Sequence, residues 1–275
     1  MKIDCKKYAQ EILDEVKLVP NKKTLAILSV GDDLASQSYI KGKIKDCEYC
    51  GIPYRHMQLP PMVLSSAIEE QNSDPEIGGI IVQLPLPSGM NENRYLRKVQ
   101  AAKDVDGFRP NSPFKPCTPE GIMYLLYQEI GVLTGKTALV IGRGKLVGKP
   151  MARLLLDADC TVTNAHSQTR NLPELLRIAD IVVSGVGKPG VVDLQYCKPG
   201  AVVIDAGISR TQEGKLVGDC FGSREGLKVT PVPGGVGLMT RAMLMRHMAT
   251  ASRSMREEIK HCVLVSADEK QEDKR

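Results

Sequence analysis

A tyrosine and a lysine stand four residues apart in the segment SQSYIKGKIKDCEYC, residues 36–50. In a helix this spacing places Tyr39 and Lys43 on one face, beside the core-facing stripe that begins with Ile40 and Ile44. A lysine that loses solvent there is a candidate for general acid–base catalysis, because burial disfavours its charged form. The alternative is a snorkelling lysine beside a packed tyrosine, and these residues alone favour that alternative.

The same segment contains Cys47 and Cys50, a spacing that occurs in redox and zinc sites. The sequence has no second CxxC and no nearby pair of histidines that would complete a zinc site. A redox CxxC stands at the start of a helix, whereas this pair falls at the far end of the predicted one. We therefore predict that both cysteines are structural, with Cys47 in the core, and we predict no metal site.

Two further segments place polar side chains after apolar runs. VQLPLP ends a predicted buried strand with Gln83, and the carboxyl end of a parallel strand is where ligands meet a sheet. KDVDGF contains Asp104 and Asp106. The alternative for these two residues is an ordinary loop with Asx turns.

A proline- and glycine-rich loop precedes the last predicted helix. TPVPGGVGLMT, residues 230–240, has few bulky side chains around Pro233, Gly234 and Gly235. Such a stiff loop is suited to backbone contact with a flat ligand.

These residues lie on or beside elements that alternate along the chain. Apolar runs of strand length, bounded by Gly, Pro or Asp, are separated by segments with apolar residues at three-four spacing. Continuous apolar strands that alternate with helices predict a buried, mostly parallel sheet and hence an α/β fold. The predicted strands are 24–31, 77–87, 137–144, 160–166, 180–187 and 201–207.

A chain of 275 residues is long for one hydrophobic core, so we predict two domains. Residues 107–117 contain three prolines and no periodicity, which is typical of a hinge. The predicted domains are 1–117 and 118–240. A helix at 241–265 is expected to pack back on the first domain, and 266–275 form a polar tail.

A glycine-rich turn joins a predicted strand to a predicted helix in TALVIGRGKLVGKP. Gly142, Gly144 and Gly148 have the spacing GxGxxxG. Such a turn lets backbone N–H groups face a pyrophosphate at the start of a helix. A lone glycine motif is weak, but its place between strand and helix favours a dinucleotide site over a plain tight turn.

The segment after the next strand indicates which cofactor binds. An NAD site has an acidic residue about 20 positions beyond the glycines, whereas this chain has TVTNAHSQTR there, with His166 and Ser167. With Arg143 in the glycine turn, these donors suit a 2′-phosphate, so NADP is predicted; ordinary loop residues are the alternative. Gly187 and Gly207 follow later strands and would allow close approach of a nicotinamide or ribose, although each is also compatible with a plain turn.

Composition excludes several other classes. The net charge is +5, from 37 basic and 32 acidic residues that are scattered, so nucleic acid is not an expected partner. No apolar run is long enough to span a membrane, and the N-terminal segment lacks the apolar centre of a signal peptide. Eight cysteines without framework spacing are typical of reduced thiols, and a cytoplasmic location is expected.

Taken together, the segments resemble the methylenetetrahydrofolate dehydrogenase/cyclohydrolase family, often called FolD. The similarity covers roughly residues 24–245 and rests on motifs in the same order as in the family. They are VGDDLASQSYIKGKIKDCEYCGI, GGIIVQLPLP, KDVDGF, PCTPEGI, VIGRGKLVGKP, HSQT, VGKPG, IDAGI and TPVPGGVGLMT.

The resemblance implies an enzyme of folate one-carbon metabolism. It would oxidise 5,10-methylenetetrahydrofolate to the 5,10-methenyl cation with NADP and hydrolyse that cation to 10-formyltetrahydrofolate. The first domain would bind the folate and carry the catalytic residues. The second would be a Rossmann-type NADP-binding domain, with a cleft between the two. The resemblance also implies a homodimer formed through the nucleotide-binding domain.

The resemblance assigns roles to residues of this chain. Lys43 would be the essential group for proton transfer in hydrolysis, with Gln83 hydrogen bonded to it. Tyr39 would stack near the pterin, and Asp106 would bind the pterin N–H groups. Further substrate positions would be Leu84, Pro233, Gly234 and Gly235. The cofactor positions that match the family are Gly142, Arg143, Gly144, Ser167 and Ile208. Two more cofactor positions, His166 and Gly187, are predicted because they follow the ends of strands.

Three features depart from the family pattern. Gly144 replaces the usual serine of the cofactor turn, and Leu238 replaces a proline. The segment between DVDGF and PCTP is shorter and lacks the usual Asn-x-Gly-x-Leu loop. Two alternatives remain open: another NADP-dependent α/β dehydrogenase, such as a shikimate-type enzyme, and a non-catalytic folate- or nucleotide-binding protein on the same scaffold.

Overall fold

The chain forms two α/β units, each built from two separate stretches of sequence. The computed structural model describes residues 1–252, except for the side chains of residues 34 and 35. The three-stranded unit comprises residues 14–114 and residues 245–252. The five-stranded unit comprises residues 1–13 and 115–244. Helix α1 (Cys5–Lys17) begins in the five-stranded unit and ends in the three-stranded one.

The three-stranded unit is a parallel sheet in the order β2-β1-β3. The central strand is buried along nearly its whole length, because α/β crossovers cover both faces of a parallel sheet. Its core consists of aliphatic side chains from the strands and from the helix before β3. In chain order the elements are β1 (Thr24–Val30), α2 (Leu34–Cys50), β2 (Tyr54–Leu59), α3 (Leu64–Ser73), β3 (Ile77–Val82) and α4 (Glu92–Leu96).

The five-stranded unit contains a second parallel sheet in the order β12-β8-β6-β4-β5. Two short strand pairs, β7 with β11 and β9 with β10, lie outside it. No helix within residues 1–252 is both long and apolar enough to cross a membrane. In chain order the elements are α5 (Cys117–Ile130), β4 (Thr137–Ile141), α6 (Gly148–Asp157), β5 (Thr161–Ala165), α7 (Leu172–Ile178), β6 (Ile181–Ser184), β7 (Val192–Asp193), β8 (Val202–Asp205), β9 (Ser209–Arg210), β10 (Leu216–Val217), β11 (Cys220–Phe221), β12 (Lys228–Val229) and α8 (Val236–Ala251).

Both main sheets are parallel throughout, which confirms the predicted α/β class with two α/β domains. In the larger sheet, the chain leaves β4 towards β5 on one side and leaves β6 towards β8 on the other. Ligands of open parallel sheets bind at the carboxyl ends of strands where the connections diverge in this way. The fold therefore points to the ends of β4 and β6.

The observed units differ from the predicted domains at the N terminus. Residues 1–13 belong to the five-stranded unit rather than to a first domain that begins at residue 1. The physical reason is strand pairing, because Ile3 N donates to Val229 O (2.9 Å) and Val229 N donates to Met1 O (3.0 Å). At the other end, α8 stops at Ala251, and the rest of the predicted 241–265 helix and the 266–275 tail lie outside the described residues.

Candidate active site

Helix α2 carries Tyr39 and Lys43, and both of its ends are capped. At its start Asp33 Oδ2 accepts a hydrogen bond from Ser36 N (2.7 Å), so Asp33 is the N-cap among the two candidate aspartates. At its end Gly51 adopts a left-handed conformation, and its N–H bonds the last carbonyls of the helix. The two caps fix where the helix begins and ends.

Lys43 lies on the buried face of α2, with only 4% of its surface exposed. Ile44 is half-buried, so the core stripe runs through Ile40, Lys43 and Cys47 rather than through Ile44 as expected. These positions are three and four residues apart and share one helical face. A lysine inside an apolar stripe requires a polar partner.

Gln83 is that partner. Lys43 Nζ donates to Gln83 Oε1 (3.1 Å), as the family resemblance implies, and lies 5.2 Å from the ring centroid of Tyr39. Gln83 follows β3, where its N–H donates to Leu28 O and its Nε2 donates to Leu84 O (2.7 Å). The second bond orients the side-chain amide so that its oxygen faces the lysine. Because the amide is neutral, the lysine can exchange a proton without breaking an ion pair with it.

A polar pocket lies beside Gln83 at the carboxyl ends of β1 and β3. It contains about 290 Å³ of free space, including its open mouth, and its walls include Ser29, Asp33 and Ser36. The Ser36 hydroxyl is buried and has no hydrogen-bond partner within residues 1–252. The pocket therefore offers a small polar ligand or a water molecule a place next to the lysine–glutamine pair.

Asp104 and Asp106 have different environments in the same turn. Asp104 is buried, which raises the pKa of its carboxyl, and the backbone N–H groups of Arg109 and its neighbours oppose that shift. The bond from Arg109 N to Asp104 Oδ2 measures 2.7 Å, so Asp104 organises the turn. Asp106 is half-buried, and within residues 1–252 no hydrogen bond joins it to Tyr39, Lys43 or Gln83.

His247 of α8 supports the same turn and was not singled out from the sequence. Its Nδ1 donates to Val105 O (2.8 Å), and its ring stacks on Phe114 with centroids 4.7 Å apart. A histidine in a methionine-rich helix gives no local sign of this partner, because Val105 lies far away in sequence.

The structure thus links Tyr39 to Lys43, Lys43 to Gln83 and Gln83 to Leu84 in succession, with Asp106 elsewhere in the same unit. The three remaining predicted substrate residues belong to the five-stranded unit, where they precede α8. These residues are Pro233, Gly234 and Gly235.

The predicted cofactor residues all follow the carboxyl ends of four neighbouring strands of the larger sheet. The strands are β4, β5, β6 and β8, which include both strands at the point where the connections diverge. This is the arrangement expected of a nucleotide site in an open parallel sheet. In strand order the residues are Gly142, Arg143 and Gly144, then His166 and Ser167, then Gly187, and finally Ile208.

The glycine turn is tightly built where the chain folds back and open where a ligand would enter. Gly142 has a φ of 107°, and a side chain on Gly148 would overlap the carbonyl oxygen of Gly142. Asn164 Nδ2 fastens the turn by donating to Gly142 O (2.8 Å). A Cβ on Gly144 would have no heavy atom within 4 Å. With Arg143 exposed beside this space, the turn fits a phosphate group.

The turn after β5 presents donors rather than an acid. His166 N donates to Thr169 Oγ1 (2.9 Å), and Gln168 N donates to His166 Nδ1 (3.2 Å). Since Nδ1 accepts this bond, the Nε2 of His166 carries the proton in the neutral ring. Ser167 is exposed at the tip of the turn.

Cys47 and Cys50 are both buried in the three-stranded unit. Burial raises the pKa of each thiol to about 12, and the Cys47 thiol donates to Met245 Sδ (3.7 Å). Neutral thiols at this depth are poor nucleophiles. Among the described residues, no three histidine, cysteine or acidic side chains cluster to hold a metal ion.

A glycine turn where parallel strands diverge, together with a second α/β unit whose helix α2 carries a buried lysine, defines a two-domain dinucleotide-binding α/β protein. The chain belongs to the tetrahydrofolate dehydrogenase/cyclohydrolase family. The family's catalytic domain matches residues 3–106, and its NAD(P)-binding domain matches residues 116–256. The resemblance inferred from the sequence is thereby confirmed.

Similar proteins span nearly the whole chain. The bifunctional protein FolD 2 of Ectopseudomonas mendocina is 46% identical over 277 aligned residues, which cover 91% of each protein. The crystal structure of the bifunctional enzyme FolD from Campylobacter jejuni has a TM-score of 0.86 and 36% identity, covering 92% of this chain and 98% of that one. FolD of Trypanosoma brucei, solved with NADP cofactor and an inhibitor, has a TM-score of 0.85 and 32% identity, covering 92% and 97%.

Proposed function

We propose that the protein oxidises 5,10-methylenetetrahydrofolate to 5,10-methenyltetrahydrofolate with NADP and hydrolyses the product to 10-formyltetrahydrofolate. The observation that carries the proposal is the buried hydrogen bond between Lys43 and Gln83. Family membership supplies the substrate class. The lysine supplies the one proton-transfer group that the hydrolytic half requires.

The oxidation depends chiefly on orientation. NADP, when bound, accepts the hydride, and the carbon that loses it lies between two nitrogens that stabilise the resulting cation. The protein therefore has to hold the folate at the correct distance and angle rather than supply strong acid–base chemistry. In this proposal Tyr39 stacks near the pterin and Asp106 binds its N–H groups, with Leu84 as a further contact.

The hydrolysis requires removal of a proton from the attacking water. The Lys43 amine would take that proton at Nζ and return it when the ring opens. Gln83 would hold Nζ in place through its oxygen, since its own Nε2 is already bonded to Leu84 O. A glutamine suits this role because its neutral amide leaves the lysine free to lose its charge.

The cofactor site fits NADP better than NAD. The end of β5 carries His166 and Ser167, where an NAD site would have an acid on the ribose 2′-hydroxyl. Arg143 is exposed in the turn beside it. A cation and a hydroxyl donor suit the extra phosphate of NADP, and we assign the preference to Arg143 and Ser167.

An assay with NADP and NAD in parallel tests the substrate and the cofactor together. We expect methylenetetrahydrofolate and NADP to give the absorbing methenyl product, and NAD to give it more slowly. Folate binding without turnover on either cofactor would favour a non-catalytic binding protein. Turnover with NAD alone would overturn the assignment of Arg143 and Ser167.

Two further properties complete the proposal. We propose a homodimer formed through the five-stranded unit, in which β5 is a partly exposed edge strand with unpaired backbone groups. Sedimentation equilibrium tests it, and a monomer at micromolar concentration would contradict it. We also propose a cytoplasmic location, because six of the seven cysteines among the described residues are buried in the cores and their spacing is not that of a disulfide framework.

A further inference from the structure

A buried carboxylate lies directly behind the loop that follows β6. Asp219 has 0% of its surface exposed, and both of its oxygens accept hydrogen bonds. Oδ2 accepts from Ser184 Oγ (2.7 Å) and Val186 N (2.9 Å), and Oδ1 accepts from Lys188 N (2.8 Å). The loop of residues 185–188 therefore wraps around one side chain that comes from a distant part of the sequence.

A second buried carboxylate supports the first. Asp205, at the end of β8, accepts from Gly207 N and Asp219 N (both 3.0 Å) through Oδ1 and from Cys220 N (2.9 Å) through Oδ2. Every one of these partners is a donor, so the oxygens of both carboxylates act only as acceptors in these bonds. Within residues 1–252 no basic side chain bonds either carboxylate, so backbone N–H groups and the Ser184 hydroxyl provide the compensation.

The two carboxylates explain why residue 207, which we predicted to lie against a ligand, is a glycine. A side chain on Gly207 would overlap the carboxylate of Asp219, and one on Gly218 would overlap that of Asp205. Gly207 was expected to allow close approach of a nicotinamide or ribose. In the structure it allows close approach of Asp219.

The loop held by Asp219 packs against the glycine turn. A Cβ on Gly142 would lie 2.9 Å from Val186 Cγ1, and a Cβ on Gly185 would lie 2.9 Å from Val147 Cγ1. These contacts join the ends of β4 and β6, between which a ligand of this sheet binds. A shift of the loop would therefore alter the shape of the turn as well as the position of Gly187.

We propose that Asp219 is a positioning residue for the cofactor. It does not touch NADP; it holds Val186 and Lys188 by their backbone N–H groups so that the loop forms one wall of the cofactor site. Asp205 in turn holds Asp219 and the turn at Gly207. The inference rests on the proposed function, since it takes NADP to be the ligand of this site.

The test is the affinity of Asp219→Asn for NADP, measured by titration calorimetry. An asparagine keeps the shape but turns an N–H₂ group towards backbone donors. We expect the Kd for NADP to rise about ten-fold or more, as the loss of a hydrogen bond to a charged group predicts. The ratio of hydrolysis to oxidation should rise by a similar factor, whereas general destabilisation would lower both activities together. Hydrogen exchange at Val186 and Lys188 should become faster.

Asp180→Asn is the matched control. Asp180 also binds a backbone amide, that of Thr137 (3.0 Å), and it pairs with Lys198 (2.6 Å), but Thr137 begins β4 at the opposite end of the sheet. We expect it to lose stability without a change in the Kd for NADP. Equal losses of NADP affinity in both variants would overturn the inference, because the effect would then belong to the sheet as a whole.

Two further outcomes are decisive. A folded Asp219→Asn protein that binds NADP as tightly as the wild type overturns the positioning role. If that variant does not fold, Ser184→Ala removes a single donor to Asp219 and should weaken NADP several-fold; unchanged affinity would overturn the role equally. A wild-type protein that binds no NADP would instead refute the proposed function.

Discussion

The two parallel sheets present their functional groups in opposite ways. At the end of the three-stranded sheet the groups are buried side chains, with Lys43 and Gln83 exposed by only 4% and 7%. At the end of the five-stranded sheet they are backbone groups of exposed turns, with the buried side chain of Asp219 set behind them. Under the proposed function, the end of the three-stranded sheet would move a proton and the end of the five-stranded sheet would hold a phosphate-bearing ligand.

The difference shows why the two sites depend on different kinds of residue. A proton-transfer group needs a defined partner and little solvent, so the site at the three-stranded sheet depends on two side chains. A nucleotide site needs many backbone N–H groups at once, so the site at the five-stranded sheet depends on the backbone conformation of its turns. Substitutions of side chains should therefore impair the first site, and changes of backbone conformation should impair the second.

Replacing Lys43 by methionine should have the largest effect. Methionine occupies similar space without a titratable group, so we expect hydrolysis of the methenyl substrate to fall about a thousand-fold, within the range of general acid–base catalysis. Oxidation should fall much less. The rate of methenyl hydrolysis measures this, with Lys41→Met, an exposed lysine of the same helix, as the control. Unchanged hydrolysis in Lys43→Met would show that Lys43 does not transfer the proton.

Gly148→Ala should cause the next largest effect, on cofactor binding at the five-stranded sheet. A methyl group there overlaps Gly142 O, so the turn must open and NADP affinity should fall about a hundred-fold, as strain from overpacking predicts. Fluorescence titration with NADPH measures the change. If the affinity for NADP is unchanged while methenyl hydrolysis is lost, the assignment of the glycine turn to cofactor binding is wrong.

Gln83→Glu tests whether the neutral amide beside Lys43 matters for hydrolysis. A carboxylate beside the lysine favours the ammonium form, so the amine that accepts a proton is populated only at higher pH. We expect the pH profile of hydrolysis to move to alkaline pH by about one unit or more. Gln83→Met is the control, because it removes the hydrogen bond without adding charge and should lower the rate without moving the profile. A shift in both variants would show that charge is not the cause.

Gly144→Ser should have the smallest effect and the opposite sign. The space around Gly144 is open, and a serine there would add one donor to a phosphate. We expect NADP to bind a few-fold more tightly, as one added hydrogen bond predicts. Weaker binding in this variant would mean that the phosphate does not lie against the turn at this position.

The elements that the sequence revealed are those with a hydrophobic signature. All six predicted strands exist. Five of them are buried in a parallel sheet and appear as apolar runs, whereas β5 is a partly exposed edge strand. Strand β2 was missed because it is an edge strand with a largely exposed sequence, YRHMQL. The glycine turn was also predictable, because its backbone conformation requires glycines at a spacing that is visible in the local sequence.

The supports behind the sites were not predictable from local patterns. Asp219 lies more than thirty positions beyond the loop it holds and looks like any loop acid. The short 107–117 segment also has a tertiary explanation. Arg109 Nη1 donates to the carbonyls of Arg97 and Val99, and Ser112 Oγ donates to Asp104 O (2.9 Å). The segment is irregular, as predicted, but it is tied down by side chains whose partners only the fold reveals.

The pairing of residues 1–3 with Val229 has a consequence for folding during synthesis. Residues 1–13 are made long before their partners in the five-stranded unit, which lie near the end of the described chain. The three-stranded unit likewise awaits α8 beyond Met245. N-terminal domains usually fold first as they emerge, but here neither unit can reach its final form until the chain has been made beyond Val229 and Met245. Such a chain spends longer with exposed apolar strands than one whose domains follow in series, and chaperones have correspondingly longer to act on it.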